Sequence, residues 1–177
     1  MKSLNITILG EKDIGKTKLI DEYTENKYEK KQKGSAVSFH KTFKDSNKMK
    51  LSLYEFSDIP DKKKDIASHH CVIIMFDMTS RVDFENVLDK WIKLLREIKY
   101  NNTIILFGTR NFKKQNALPM TDEREINDLI SVAGIKGNFY DIGNKSKEEK
   151  NALIDNLIET SYEDAKNNMN KKDCIIF

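Results

Sequence analysis

Apolar residues along this chain follow two rhythms, and each rhythm predicts an element. Ile6 to Leu9, within Leu4-Asn-Ile-Thr-Ile-Leu9, predicts a first strand, and Lys16 to Asn26 a first helix. After a polar, lysine-rich stretch, Val37 to Lys44 and Lys48 to Phe56 each alternate apolar and polar residues around Asp45-Ser46-Asn47, which predicts a hairpin. Cys71-Val-Ile-Ile-Met-Phe76 is continuously apolar, as expected of a central strand covered on both faces, and Thr103 to Phe107 predicts another. Between them, from Val82 to Lys99, Phe84, Val87, Leu88, Trp91, Leu94, Leu95 and Ile98 recur at helical spacing and define one buried stripe. Thr121 offers an N-cap, with Asp122 and Glu123 suited to the positive end of the helix that follows. Phe139 to Ile142 predicts a last strand. A final helix is expected from about Ser146 to Ala165, its stripe set by Leu153, Ile154, Leu157 and Ile158. Alternation of this kind predicts an α/β fold: a six-stranded, mostly parallel sheet with five helices on both faces.

Composition narrows the setting. The chain has 177 residues, 38% hydrophobic and 33% charged, which suits one domain over residues 1–166 followed by a flexible tail over 167–177. Within that tail, Asn167-Asn-Met-Asn170 reads as a tether. No apolar run approaches the roughly 20 residues that span a bilayer, no secretory leader is evident, and Cys71 and Cys174 stand far apart. A soluble chain in a reducing, cytosolic setting is expected. The net charge of +3 is too small to argue for nucleic acid. Charge is local instead: between Lys27 and Lys64, eleven lysines face five carboxylates. A solvated, lysine-rich exposed region accounts for this more readily than a dedicated binding patch.

Gly10-Glu-Lys-Asp-Ile-Gly15-Lys16-Thr17 carries the most specific chemistry, because it lies between the first strand and the first helix. Glycines let the backbone turn and aim its N–H groups at phosphate oxygens, while the helix presents its positive end to the same anion. Lys16 then reaches the outer phosphates, and the Thr17 hydroxyl ligates magnesium.

The Gly-Lys-Thr loop, the order of elements, Phe76-Asp77-Met78-Thr79 ending the fourth strand, and Trp91 in the next helix resemble a Ras-superfamily small GTPase, closest to its Rab branch. The similarity spans essentially the whole chain. It implies a P-loop NTPase of the small G domain type, a GTP/GDP switch that uses Mg²⁺, and effector, exchange-factor and GAP-type partners at two switch loops. A monomer is expected. The resemblance assigns nucleotide contacts to Gly10, Asp13, Ile14, Gly15, Lys16, Thr17 and Lys18, to Thr109, Arg110 and Phe112, and to Gly143, Asn144 and Lys145; it assigns the metal to Thr17, Ser35 and Glu55.

Several working parts depart from the family pattern. Where the family has Asp-x-x-Gly-Gln, this chain has Glu55-Phe56-Ser57-Asp58-Ile59. Glu55 keeps a carboxylate for the metal but adds a methylene. Asp58 stands at the glycine whose N–H meets the terminal phosphate, and its charge repels that phosphate. Ile59 replaces the glutamine that orients the attacking water, so no catalytic residue is assured and slow hydrolysis is expected. Gly34 falls at the threonine that closes on magnesium; Ser35 is the nearest substitute, and Thr42, within a strand, a weaker one. The base-reading run is Thr109-Arg110-Asn111-Phe112, in which Phe112 replaces an aspartate acceptor, so guanine and adenine both stay open as bases. Gly143-Asn144-Lys145 matches the family's later base loop.

Cys174-Ile175-Ile176-Phe177 fits a prenylation pattern whose last residue favours a geranylgeranyl group. One lipid gives marginal binding, and Lys166, Lys171 and Lys172 supply a second, basic signal. The expected location is the cytoplasmic face of a membrane, in exchange with cytosol. His69, His70 and Cys71 are adjacent, yet a strand sends neighbours to opposite faces, so a metal site is not expected there, and Cys71 reads as core. Lys12 either fills the space an activating arginine needs or is simply solvated. Two functional readings stay open: a membrane-anchored nucleotide switch of vesicle traffic or signalling, and a pseudo-GTPase that serves as a tethered interaction module. A phosphate-loop kinase fits poorly, because Arg81, Arg96, Arg110 and Arg124 are scattered.

Overall fold

A computed structural model describes residues 2–25, 29–30, 36–42, 48–61, 63–110, 119–135 and 137–173. The first strand, β1 (Lys2–Leu9), leads into α1 (Lys16–Thr24). Next come β2 (Glu29–Lys30), β3 (Ala36–Thr42) and β4 (Lys48–Phe56). A one-turn helix α2 (Lys63–Ile66) precedes β5 (Cys71–Asp77). One continuous helical rod then combines α3 (Arg81–Asn86), a π-helical segment Val87–Ile92 and α4 (Lys93–Glu97). The chain closes with β6 (Thr103–Thr109), α5 (Glu123–Ala133), β7 (Phe139–Asp141) and α6 (Lys147–Asp173).

Strand order is β2-β3-β4-β1-β5-β6-β7. Seven strands are thus found among the described residues where the hydrophobic pattern predicted six, because two residues, Glu29 and Lys30, pair antiparallel with Ser38 and Val37. So short a strand has no periodicity to detect. The predicted hairpin is present, with β3 antiparallel to β4 from Ala36↔Tyr54 to Thr42↔Lys48. Its turn lies outside the described residues. From β4 onward every pairing is parallel, including the register Lys2↔Met49 to Leu9↔Phe56 between β1 and β4.

Two apolar layers cover the sheet. β5 supplies both: Cys71, Ile73 and Met75 face α1 and α6, while Val72, Ile74 and Phe76 face the α3–α4 rod and α5. Each such side chain taken wholly out of water contributes about 1.5–3 kcal/mol. The predicted stripe is buried as a unit, with Phe84, Val87, Trp91, Leu94 and Leu95 in the core and Leu88 and Ile98 packed against it. Its rod is not a plain α-helix, since the Lys93 N–H reaches back five residues to the Leu88 carbonyl.

Two boundaries differ from expectation. Asp122, not Thr121, caps α5: its carboxylate accepts from the Glu125 N–H at 2.8 Å and the Glu125 side chain accepts from the Asp122 N–H at 3.2 Å. That reciprocal box satisfies two donors at once and outcompetes a lone hydroxyl; Thr121 is buried, its hydroxyl without a protein partner. The second difference is α6, which continues through Asp173, so residues 167–173 are helix and not the expected tether. Ser146 and Glu149 cap its start in the same reciprocal way.

Candidate functional site

Parallel strands end on one edge of a sheet, and the loops that leave β1, β4, β5, β6 and β7 converge there. The loop after β1 turns at Gly10, where a Cβ would lie 2.4 Å from the Met75 carbonyl oxygen of β5 and 2.4 Å from Ile14 Cδ1. Only glycine fits between those strands. Asp13 takes φ 62° and Gly15 φ 96°, so the loop bends through two left-handed residues before α1 begins. Gly15 is the N-cap of α1 and gives it no side-chain bond, which leaves the leading amides and the helix dipole directed at the loop's hollow.

Lys16 folds over this loop, its Nζ donating to the Gly10 carbonyl at 2.9 Å and to the Glu11 carbonyl at 2.6 Å. Burial holds its ammonium below the usual lysine range, opposed by the carboxylates of Glu55 and Glu11. A desolvated cation at the uncapped head of a helix suits an anion. Thr17 Oγ1 sits at the hollow's rim and donates to Glu55 at 2.8 and 3.0 Å. The extra methylene of Glu55 therefore brings its carboxylate into direct contact with the hydroxyl. Hydroxyl and carboxylate oxygens side by side are the donor set that a hard divalent cation takes, so these two residues fit magnesium.

The base side of the site is built by β6 and β7. Ile14, Gly15, Lys18, Thr109 and Gly143 line one small cavity, which joins the phosphate loop to the loops after β6 and β7. Arg110 Nη2 pairs with Asp141 at 2.8 Å, and the other Asp141 oxygen accepts from the Gly143 N–H at 2.9 Å. Gly143 is required here, because a Cβ would meet the Arg110 stem at 2.5 Å. Arg110 Nε is buried without a protein partner. Thr109 is occupied, its hydroxyl donating to the Phe76 carbonyl at 3.2 Å. Lys18 pairs with Glu22 at 3.7 Å, Asn144 is exposed, and the Lys145 N–H donates to the Ile142 carbonyl at 3.3 Å. Ser35, Gly34, Phe112 and Cys174 lie outside the described residues.

Sequence reasoning missed Glu11, Lys90 and Asp141. Lys90 and Asp141 carried no motif, and Glu11 is a variable place within one.

Residues 5–163 match the Ras family model. The chain belongs to the Ras family. A curated relative of this Ras-family chain, the Ras-like GTP-binding protein RhoL of Drosophila melanogaster, is 26% identical over 115 residues. That stretch covers 62% of this chain and 60% of the relative. The second switch of this Ras-family chain leaves β4 as expected, but its side chains face water: Asp58 is 96% exposed and Ile59 50%. Thr42 ends β3 opposite Lys48, inside the hairpin.

Packing and local hydrogen bonds account for His69, His70 and Cys71. His69 Nδ1 hydrogen-bonds the Thr7 hydroxyl, the Asn5 N–H donates to His70 Nδ1 at 3.1 Å, and Cys71 is core.

Proposed function

We propose that this chain is a guanine-nucleotide switch with Mg²⁺, in which Gly10, Gly15 and the head of α1 grip the phosphates. Lys16 and Thr17 stand beside them. The observation that carries this reading is Lys16 bent over the loop on two carbonyls, with the Thr17 and Glu55 oxygens adjoining. Bound there, magnesium supplies charge neutralisation at the outer phosphates. The stem of Arg110, fixed by Asp141, supports the base plane against Gly143.

Hydrolysis is slow in this reading, since Ile59 has no group to orient water and Asp58 adds negative charge to the segment that faces a third phosphate. Cys174 carries a prenyl group, and Lys166, Lys171 and Lys172 assist at an anionic leaflet. The protein then works at the cytoplasmic face of a membrane, as Rab-type switches of vesicle traffic do, with effectors, exchange factors and activators reading the loops after α1 and β4. A second reading, a pseudo-GTPase that binds without cycling and serves as a tethered module, is favoured by the exposed Asp58 and Ile59, which leave no side chain there to position water.

Identifying the nucleotide that copurifies with the chain, followed by calorimetry with GDP, GTP and ATP in magnesium, tests the first reading. Guanine nucleotide in stoichiometric amount is expected. No heat with any of the three refutes it, and tight GTP binding without turnover selects the second. Cys174→Ser is expected to release the protein from membranes in fractionated cells; retention would refute the lipid anchor.

A further inference from the structure

One lysine outside the phosphate cradle joins three separate elements. Lys90 lies in the π-helical segment Val87–Ile92, its side chain 22% exposed. Its ammonium donates to both carboxylate oxygens of Glu11, at 3.0 and 3.1 Å, and to the Ser57 carbonyl at 3.0 Å. The buried ring of Trp91 lies 4.4 Å from the same nitrogen. An ammonium has three N–H groups, and all three are engaged. The Asp58 carboxylate, 3.7 Å away, adds a weak, solvated attraction.

Glu11 faces two lysines at once. Its backbone carbonyl takes Lys16 and its carboxylate takes Lys90. An unbroken chain of hydrogen bonds therefore runs from the phosphate lysine through Glu11 and Lys90 to Ser57, the first residue after β4. A trans peptide is planar, with its C=O and N–H opposed, so anchoring the Ser57 carbonyl also fixes the direction of the Asp58 N–H. The turn that carries Lys90 is wider than an α-turn, a local cost that helices accept mostly at working sites.

We propose that Lys90 is a positioning residue for nucleotide discrimination: it locks the Ser57–Asp58 peptide to the phosphate loop at Glu11. The lock holds the segment after β4 in the position from which its amide meets a third phosphate. This rests on the nucleotide reading above. A diphosphate leaves that amide unused, so the lock favours the triphosphate selectively.

Dissociation of a fluorescent GDP and of a non-hydrolysable GTP analogue, with magnesium, is measured on the full chain as wild type, Lys90→Met, Lys90→Arg and Glu11→Gln. Lys90→Met is expected to speed loss of the triphosphate analogue about tenfold, the worth of a charge-assisted hydrogen bond, and to leave the diphosphate rate nearly unchanged. Lys90→Arg should restore most of the difference, and Glu11→Gln should reproduce part of it. Amide exchange at 57–59 should quicken in Lys90→Met. Equal acceleration of both ligands, or none, overturns the proposal while leaving nucleotide binding intact. A wild type that binds neither ligand overturns the nucleotide reading and this proposal with it. Should Lys90→Met fail to fold, Glu11→Gln, on the loop, decides alone by the same ratio.

Discussion

Acidification should destabilise this fold through His69, by an amount the structure sets. His69 is 4% exposed, its Nδ1 is bound to the Thr7 hydroxyl, and the Tyr54 ring lies 4.4 Å from its own, centroid to centroid. Burial, with the neighbouring His70 charge adding to it, pushes its pKa down from 6.5 to about 4. The unfolded chain takes up a proton as pH drops below 6.5, whereas the folded chain stays neutral until about 4. Stability is therefore full above pH 6.5 and falls as pH is lowered through this window. Between pH 7.5 and 5 the loss from this one group is about 2 kcal/mol, its slope approaching about 1.36 kcal/mol per pH unit below pH 6. His70, also shifted down by burial, acts in the same direction. Urea unfolding at pH 7.5, 6.5, 5.75 and 5 measures this in wild type and in His69→Asn, which keeps an amide near the Thr7 hydroxyl but cannot titrate. The variant's stability should fall by about 2 kcal/mol less than the wild type's across that range. Equal slopes would refute the assignment of a neutral, buried His69.

Three further outcomes follow from the site. Gly10→Ala should destabilise the fold by about 1–3 kcal/mol, since the new methyl meets the Met75 carbonyl and Ile14, and should abolish nucleotide binding; urea melts and calorimetry check both. Glu55→Gln should weaken magnesium in the nucleotide complex by about 10- to 100-fold, read from chelator-triggered nucleotide release, and an unchanged affinity would mean that Glu55 does not face the metal. Ile59→Gln should raise single-turnover GTP hydrolysis by about tenfold in a phosphate-release assay, a fraction of what positioning a nucleophile can supply, with Asp58→Gly adding to it.

Where one periodicity dominated, the chain could be read directly. The unbroken run Cys71 to Phe76 has the length of a doubly covered strand, and the stripe from Phe84 to Ile98 has the spacing of a core-facing helix. The phosphate loop was legible because its chemistry is local: turn, amides, lysine and hydroxyl lie within eight consecutive residues. Long-range pairs were not. Glu11 and Lys90 are 79 positions apart, and Arg110 and Asp141 are 31 apart; a lysine or aspartate in isolation reads as solvent-facing. The cap at Asp122 was misread by one residue because threonine and aspartate both cap helices, and Thr121 and Asp122 are adjacent. Only the reciprocal partner Glu125 decides between them. Asn-rich composition suggested a tether at 167–170, but a helix already nucleated and packed through Ile154, Leu157 and Ile158 continues at little cost per residue.

The length of α6 sets how the domain would meet a surface. Twenty-seven residues from Lys147 to Asp173 form a rod about 40 Å long, and its described core contacts run from Leu153 to Tyr162. A lipid on Cys174 would join the chain at the residue that follows the last helical position of this rod. The orientation of the nucleotide edge towards the bilayer would then be inherited from the helix axis. Recruitment geometry would be a built-in property of the domain, adjustable by adding or removing a single helical turn.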